Sequence, residues 1–226
     1  MKALALYLCV LIACASLASC GGQALRWTPE YHTVRSGETL YSIAWQYDID
    51  YRTLARWNEL GDGTLIRPGQ QIRLSGPAAG SLASTTAPKR ESSTAAAPVA
   101  PSPAPQWRWP TDGKLALGFG ESPKTQSGIR ITGQVGQSVV AAADGQVVYA
   151  GNALIGYGQL LIIKHNASYL SAYGYNSVLL VAEGQQLTAG QKIARMGEAS
   201  SQQPALHFEI RRNGKPVDPL NYLPRR

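Results

Sequence analysis

The spacing of apolar residues divides the chain into a short helical segment and a longer segment rich in strands. Within residues 31–74, apolar positions recur at helical spacing over 40–47, and a second helix follows Asp50, which is placed to cap it. Glu38 is expected in the first turn of the first helix, where the helix dipole favours an acidic side chain. Short strands are predicted at both ends, over 31–35 and 71–74. The pattern predicts a small α+β domain.

From residue 107 onward, short apolar runs alternate with turn signals. Runs at 139–143 and 146–150 are joined by Asp144-Gly145, a dipeptide that predicts a two-residue β-hairpin. Asn213-Gly214 is a second hairpin signal. Further strands are predicted at 160–164, 169–175 and 206–212. Many short strands separated by turns favour a compact, mostly antiparallel β domain over residues 106–226.

Residues 75–105 separate these two segments and are rich in Ser, Thr, Ala and Pro. They contain no long aliphatic run, so they cannot bury a core, and we predict a disordered linker. A random coil of this length spans on the order of 30 Å. We therefore expect the second domain to move independently of the first.

The N-terminus has the composition of a secretory signal. Lys2 precedes an apolar run over 3–18 that is shorter than the roughly 20 residues of a membrane-spanning helix. The run closes on Leu-Ala-Ser-Cys20, which resembles a bacterial lipobox. This resemblance implies that residues 1–19 are removed and that Cys20 is acylated, with residues 21–30 as a short tether. Two or more acyl chains suffice for stable anchoring. A signal anchor retained as a transmembrane helix is the alternative.

The residue after Cys20 is a glycine. The absence of aspartate there favours the periplasmic face of the outer membrane over the inner membrane.

The net charge of +7 is unevenly distributed. Residues 31–74 carry five basic and five acidic side chains, whereas residues 106–226 carry twelve basic and seven acidic ones. A basic domain can meet nucleic acid, anionic lipid, anionic glycan or an acidic protein surface. The secretory signal argues against nucleic acid as a partner.

Residues 31–74 resemble a LysM module in three motifs: YHTVRSGETLYSIA at 31–44, LARWN at 54–58 and IRPGQQIRL at 66–74. The resemblance implies binding to glycan that contains N-acetylglucosamine, with peptidoglycan as the natural ligand. It places the sugar contacts on two loops, at Gly37, Glu38, Thr39, Leu40, Leu65, Ile66 and Pro68. From the residues alone, Gly37 and Glu38 could instead only begin the helix, and Pro68 could only set a turn.

A second set of motifs comprises QSGIR at 126–130, AYGY at 172–175 and ALHFEI at 205–210. Together with residues 139–148, it resembles the lysostaphin-like (LytM) peptidases of peptidoglycan. Those enzymes hold zinc with a His, an Asp four residues later and the second His of a His-x-His motif, and they use two further catalytic His. The matching positions here are Gln126, Arg130, His207, Tyr175 and Ala205, so only His207 is retained.

These substitutions argue against a metal site. Catalytic zinc sites use about three protein ligands and keep one position for water, which a lone imidazole cannot provide. The guanidinium of Arg130 is always protonated and would repel a dication. Glu209 shares a strand face with His207 but does not replace the lost aspartate, and the phenol of Tyr175 is a poor substitute for imidazole near neutral pH. We predict no metal, no cofactor and no hydrolysis.

The residues around the altered positions favour a binding role instead. A fixed charge, aromatic surface and hydrogen-bonding groups have the composition of a protein-binding hot spot. We predict a partner-binding groove lined by Gln126, Arg130, Tyr173, Tyr175 and His207; the alternative is neutral drift in a pocket without function. The other two histidines stand apart, with His32 expected on the surface of a strand and His165 in a turn.

The whole arrangement of lipobox, LysM module, linker and metal-less LytM-like domain resembles the NlpD-like amidase-activator lipoproteins. The resemblance implies that the degenerate domain does not cut the wall. It would bind and activate a periplasmic N-acetylmuramyl-L-alanine amidase when the wall is split during division. Two alternatives remain open, namely a structural tether between membrane and peptidoglycan and a metalloendopeptidase with a different metal set.

Overall fold

The computed structural model describes residues 29–61, 65–76, 102–122, 126–199 and 202–226. The predicted signal peptide, the lipidation site Cys20, nearly all of the tether and most of the linker lie outside these ranges. The described residues contain two separate sheets. We call the part that holds the first sheet, within 31–74, the N-terminal domain, and the part that holds the second, within 106–226, the C-terminal domain.

The N-terminal domain has the predicted order of strand, helix, helix and strand. The two strands pair antiparallel, with Tyr31 opposite Arg73. The buried core lies between this ribbon and the helices and includes Ile43, Leu54 and Ile72. The elements are β1 Tyr31–Thr33, α1 Leu40–Gln46, α2 Tyr51–Trp57 and β2 Gln71–Arg73.

The helix caps agree with the prediction at α2 and differ at α1. Asp50 caps α2, and its carboxylate accepts from the backbone N–H groups of Arg52 and Thr53. Helix α1 is capped by Thr39, whose hydroxyl accepts from the backbone N–H of Ser42. The prediction that Glu38 lies in the first turn of α1 is therefore wrong, because Glu38 precedes the cap.

Glu38 is instead part of a buried polar contact. Its Oε2 lies 2.7 Å from Nε2 of His32 and accepts from the backbone N–H of Arg35 at 2.7 Å. His32 is 7% exposed, and its other ring nitrogen lies 3.1 Å from the hydroxyl of Tyr47. His32 is thus a buried, hydrogen-bonded residue and not a surface side chain as predicted.

The C-terminal domain is a mostly antiparallel sheet, as expected. In the described residues the strand order is β3-β4-β11-β8-β7-β6-β9, with β10 joining β5 to β8 and β12 added to β11. The bounds are β3 Leu115–Leu117, β4 Ile129–Thr132, β5 Ser138–Val140, β6 Gly145–Gly151, β7 Gln159–Lys164, β8 Tyr169–Leu179, β9 Gln186–Leu187, β10 Lys192–Met196, β11 Ala205–Arg212 and β12 Lys215–Val217. A 3₁₀ turn, Pro219–Asn221, follows.

One of the two predicted hairpins is present. Asn213 and Gly214 join β11 to β12 with φ angles of 50° and 77°, as a tight turn of this kind requires. The hairpin predicted at Asp144-Gly145 is wrong, because β5 pairs with β10 whereas β6 pairs with β7 and β9. The chain leaves β5 after Val140, and the backbone N–H of Ala142 then bonds the hydroxyl of Tyr173 instead of a neighbouring strand.

Strand β7 is apolar on both faces. One face packs in the core of the C-terminal domain, and the other packs against the N-terminal domain. Leu161 and Ile163 face the core of the C-terminal domain, whereas Leu160 and Ile162 face the N-terminal domain. We call the second group the interdomain cluster; its buried members are Tyr41, Trp45, Tyr149, Leu154, Leu160, Ile162, Leu170 and Ala172. The expectation that the two domains move independently is therefore wrong for this structure.

Candidate functional site

Three of the five predicted groove residues meet on three adjacent strands. Arg130 of β4 lies directly opposite His207 of β11, so their side chains share one face of the sheet. Tyr175 of β8 completes the group, with its ring centroid 5.6 Å from the Arg130 guanidinium and 5.8 Å from the His207 ring. We call Arg130, Tyr175 and His207 the Arg130 site.

The position of Tyr175 depends on an unusual backbone. Its φ angle is 63°, a left-handed conformation that is uncommon for a bulky residue. The backbone N–H of Tyr175 donates to the carbonyl of Tyr157 at 2.7 Å, and its carbonyl accepts from Gly197 at 2.8 Å. These bonds hold a kink in β8 that turns the Tyr175 ring toward His207.

The predicted groove residues Tyr173 and Gln126 lie elsewhere. Tyr173 is fully buried, and its hydroxyl binds the backbone N–H of Ala142 and the hydroxyl of Ser171. It is a core residue, so the prediction that it lines the groove is wrong. Gln126 is exposed and lines a cavity of about 430 Å³ between the two domains.

Glu209 is the centre of the hydrogen bonds beneath the Arg130 site. It is fully buried, and its Oε1 lies 2.7 Å from Nε2 of His207. The hydroxyls of Ser127 and Tyr157 donate to the same oxygen at 2.7 and 2.9 Å, and Nε of Arg211 donates to Oε2 at 3.2 Å. Because a carboxylate only accepts, Nε2 of His207 carries the proton.

Burial, the Arg211 cation and hydrogen bonds set the protonation states of Glu209 and Tyr157. Burial alone would raise the pKa of Glu209, but Arg211 and the hydrogen bonds from His207 and Ser127 lower it to about 2. Burial and the nearby Glu209 raise the pKa of Tyr157 to about 12. Glu209 is therefore a carboxylate and Tyr157 a neutral donor across the physiological range.

The Arg130 site retains polar atoms without partners. Arg130 is 8% exposed, and its buried Nε and Nη2 atoms have no hydrogen-bond partner among the described residues. The same holds for Nδ1 of His207, which is 2% exposed. The two Arg130 nitrogens are donors, and buried donors left unpaired cost about 1–3 kcal/mol each. The site can therefore gain free energy by binding a group that brings acceptor oxygens.

These residues do not fit the zinc that the lysostaphin-like fold implies. His207 has one ring nitrogen committed to Glu209, and a guanidinium stands directly opposite it. Within the described ranges, no three His, Cys, Asp or Glu side chains are grouped closely enough to hold a metal ion. A cationic neighbour and one free nitrogen are not a zinc donor set.

Three contributors to the site were missed or only partly recognised from the sequence. Glu209 was assigned to the same strand face as His207, but its central role was not predicted. Arg211 was missed, although the alternation of β11 places residues 207, 209 and 211 on one face. Tyr157 was also missed; its place between Gly156 and Gly158 is a loop signal that could have identified it.

His165 lies outside the site, between β7 and β8. Its ring nitrogens are 2.7 Å from the Asp144 carbonyl and from the Ser171 hydroxyl, and its ring meets Trp107 edge to face at 4.7 Å. Burial lowers its pKa to about 4. His165 follows a strand as predicted, but it anchors the turn to the core.

The predicted glycan contacts differ in what they leave available to a ligand. Leu40 is fully buried in the N-terminal core, and the hydroxyl of Thr39 donates to the carbonyl of Val148 in the other domain. The Glu38 carboxylate is occupied by its contacts with the His32 ring and the backbone N–H of Arg35. The exposed positions are Gly37, Pro68 and Leu65, the last 79% exposed, while Ile66 is half-buried.

The described part of the chain has no helix that is long and apolar enough to cross a membrane.

Comparisons with known proteins agree with both domains. Residues 32–75 match the LysM domain, and residues 124–219 match Peptidase family M23. The lipoprotein NlpD/LppB homolog of Pseudomonas aeruginosa is 42% identical, over 88% of this chain and 78% of its own length. The murein hydrolase activator NlpD of Escherichia coli is 51% identical, over 86% of this chain and 68% of its own.

A third relative is the outer membrane antigenic lipoprotein B of Haemophilus influenzae, 44% identical over 78% of this chain and 46% of its own length. The LysM and M23 matches lie in the order that the motifs predicted. The chain belongs to the NlpD/LppB family of lipoproteins.

Proposed function

We propose that this protein is a non-catalytic activator of cell-wall hydrolysis. It binds peptidoglycan through its N-terminal LysM domain and stimulates a periplasmic N-acetylmuramyl-L-alanine amidase through its C-terminal domain. Its relative in Escherichia coli is named a murein hydrolase activator, and such an amidase is a murein hydrolase. The residues around His207 do not fit a zinc ion, so we do not assign peptidase chemistry to them. Their charged and aromatic side chains support a binding role instead.

The proposal rests on two buried guanidinium nitrogens of Arg130 that have no hydrogen-bond partner among the described residues. These nitrogens, Nε and Nη2, together carry three N–H groups, and the ring of Tyr175 lies beside the guanidinium. A partner that inserts a carboxylate or carbonyl oxygen would satisfy these donors with charge-assisted hydrogen bonds. Arginine and tyrosine are among the residue types enriched at the hot spots of protein interfaces.

Activation follows from selective binding to one state of the partner. A ligand shifts an equilibrium only by the difference between its affinities for the two states. The Arg130 site must therefore bind the open amidase more tightly than the closed one. Moving a population from about 1% to about 99% open requires a preference of roughly 10⁴-fold.

The remaining parts of the chain localise this activity. We propose that Cys20 is acylated after removal of residues 1–19 and fixes the protein to the periplasmic face of the outer membrane. Lipoprotein names among the relatives support this assignment. The linker over residues 75–105 joins the two domains. The glycan would contact the backbone at 37–39 and the apolar side chains of Leu65, Ile66 and Pro68.

The proposal is tested by calorimetric titration of each periplasmic amidase of the same cell into residues 21–226. We expect one amidase to bind and its activity on peptidoglycan to rise. Arg130→Met should weaken that binding about 30-fold, the effect of losing about 2 kcal/mol of charged hydrogen bonding. Arg195→Met is the matched control, because Arg195 is an exposed arginine of the same domain.

Equal binding by Arg130→Met and Arg195→Met would exclude the Arg130 site as the contact surface. If no amidase binds, the structural tether becomes the better account. Stoichiometric zinc in the purified protein would instead favour a peptidase.

A further inference from the structure

The N-terminal domain presents a second apolar surface besides its own core. Tyr41 and Trp45 project from α1 and belong to the interdomain cluster instead of the N-terminal core. They are 7% and 3% exposed because the outer face of the C-terminal sheet covers them. Lys164 of β7 lies over the rings of Tyr41 and Tyr51, at 5.9 and 5.2 Å.

Polar contacts fix the edges of this interface. The hydroxyl of Thr39 donates to the carbonyl of Val148 at 3.2 Å, at the point where β6 shifts its register against β7. Nζ of Lys215 donates to the carbonyl of Asp48 at 2.8 Å. The β11–β12 turn abuts the start of α2 so closely that a Cβ on Gly214 would lie 2.5 Å from the backbone nitrogen of Asp50.

Arg211 connects this interface to the Arg130 site. Its Nη1 donates to the carboxylate of Asp48 at 2.7 Å and to the carbonyl of Trp45 at 3.0 Å. Its guanidinium stacks 3.7 Å from the centre of the Trp45 ring. Because Nε of Arg211 also binds Glu209, an unbroken chain of polar contacts runs from Asp48 through Arg211 and Glu209 to His207.

We propose that docking of the N-terminal domain sets the conformation of the Arg130 site through Arg211 and Glu209, so that the docked form is the one that binds the partner. The N-terminal domain is then an intramolecular partner of the C-terminal domain as well as a glycan-binding module. The part of this proposal that concerns partner binding rests on the proposed function.

The direction of the coupling follows from what undocking removes. Arg211 would lose both acceptors of its Nη1 atom and the Trp45 ring beneath it. Water would then reach Glu209, whose carboxylate holds Nε2 of His207 in place. A site that is ordered before binding meets its ordering cost in advance, so the docked form binds the partner more tightly.

The coupling can be read from the three histidines of the chain, each of which reports on a different region. The ring ¹⁵N resonances of His32 follow the N-terminal core, those of His165 follow the C-terminal core, and those of His207 follow the Arg130 site. The test protein is residues 21–226 carrying Tyr41→Lys, which places a second ammonium beside Lys164. We expect the His207 resonances to shift and those of His32 and His165 to stay.

Two further variants refine this test. Asp48→Asn removes one charge of the chain, and asparagine tolerates the left-handed backbone at this position, where φ is 53°. Its matched control is Glu59→Gln, an exposed acidic residue of the same domain with φ of 55°. Adding Lys164→Glu to Tyr41→Lys supplies an acceptor for the new ammonium, and we expect it to restore the His207 resonances.

Partner binding is measured separately, with the amidase that the unaltered protein stimulates. We expect Tyr41→Lys to reduce stimulation by about tenfold or more, because burial of a large apolar side chain is worth at least that factor. Asp48→Asn should reduce it about threefold, since Asp48 is half exposed and its ion pair is partly screened. Glu59→Gln should leave it unchanged.

The two measurements separate the two proposals. If no amidase responds even to the unaltered protein, the proposed function fails, and the His207 spectra still decide whether docking is coupled to the site. Unchanged His207 resonances in Tyr41→Lys would overturn the coupling. A rise in amidase stimulation by this variant would overturn the proposed direction, because the docked domain would then inhibit the site instead of preparing it.

Discussion

Two buried arginines of the C-terminal domain differ in how completely the chain satisfies them. Arg211 is 3% exposed and binds Glu209, Asp48 and the Trp45 carbonyl. Arg130 is 8% exposed, yet two of its guanidinium nitrogens have no partner among the described residues. The first is part of a completed internal network, whereas the second is suited to a partner that supplies acceptor oxygens.

The largest effect on stability is expected at Arg211. Arg211→Met keeps much of the side-chain volume but leaves the Glu209 carboxylate buried without its cation. Breaking a buried ion pair in this way costs about 3–5 kcal/mol of the free energy of unfolding. Urea denaturation of residues 21–226 measures it, with Arg195→Met as the exposed control. A loss below about 1 kcal/mol would show that Arg211 is not needed to stabilise Glu209.

The pH dependence of stability follows from Glu209. Its pKa is about 2 in the folded protein, below the ordinary value of 4.5, so its contribution is present above pH 4.5 and is lost as the pH falls toward 2. This contribution is about 3 kcal/mol. Urea denaturation at a series of pH values should show the loss in the unaltered protein and a flatter profile in Glu209→Gln. Parallel profiles between pH 4.5 and 2 would contradict this assignment.

His165 affects the free energy of unfolding at higher pH than Glu209 does, and it serves as the control for Glu209. Burial lowers its pKa from 6.5 to about 4, so its neutral form supports the fold above pH 6.5 and this support is lost as the pH falls toward 4. His165→Gln should flatten that window and leave the Glu209 window in place.

Arg130→Met should reduce amidase stimulation without reducing the free energy of unfolding. Removing unpaired donors from a buried site should leave the free energy of unfolding unchanged or raise it by about 1 kcal/mol. The same variant should lose most amidase stimulation. Urea denaturation beside a stimulation assay measures both. If Arg130→Met destabilises the fold as much as Arg211→Met does, Arg130 stabilises the fold as Arg211 does and is not reserved for a partner.

The smallest effect is expected at the glycan surface. Leu65→Ser removes a 79% exposed apolar side chain and should weaken binding to purified sacculi about fivefold, without changing stability. Ile155→Ser is the matched control, because Ile155 is 92% exposed on a loop of the other domain. Sedimentation of each variant with sacculi measures the difference. Equal retention of the two variants would remove Leu65 from the predicted glycan contacts.

The sequence was informative where regular strand geometry holds and misleading where it breaks. The motifs assigned Arg130 and His207 to one groove, and in the structure the two residues lie opposite each other on neighbouring strands. Tyr173 and Tyr175 are two residues apart and would share a face of a regular strand. The left-handed backbone of Tyr175 breaks that alternation, so its ring turns to the Arg130 site while Tyr173 stays in the core.

The sequence contains apolar residues that form the contact between the domains, but local patterns do not show that they pack against another domain. The apolar run from Leu160 to Ile163 is typical of a strand buried on both faces, but periodicity alone does not say what covers the second face. Tyr41 and Trp45 likewise fit the helical periodicity of α1 without showing that they face another domain. The composition of the linker indicates only that it can span the distance, and says nothing of whether the domains meet.

Release of dye from labelled peptidoglycan sacculi distinguishes an activator of hydrolysis from a hydrolase. Residues 21–226 are incubated with the sacculi alone, with zinc, and with each periplasmic amidase of the same cell. We expect release only when an amidase is present, in amounts above those of the amidase alone, with most of the excess lost in Arg130→Met. Release by residues 21–226 without an amidase would contradict this expectation and make the protein a hydrolase.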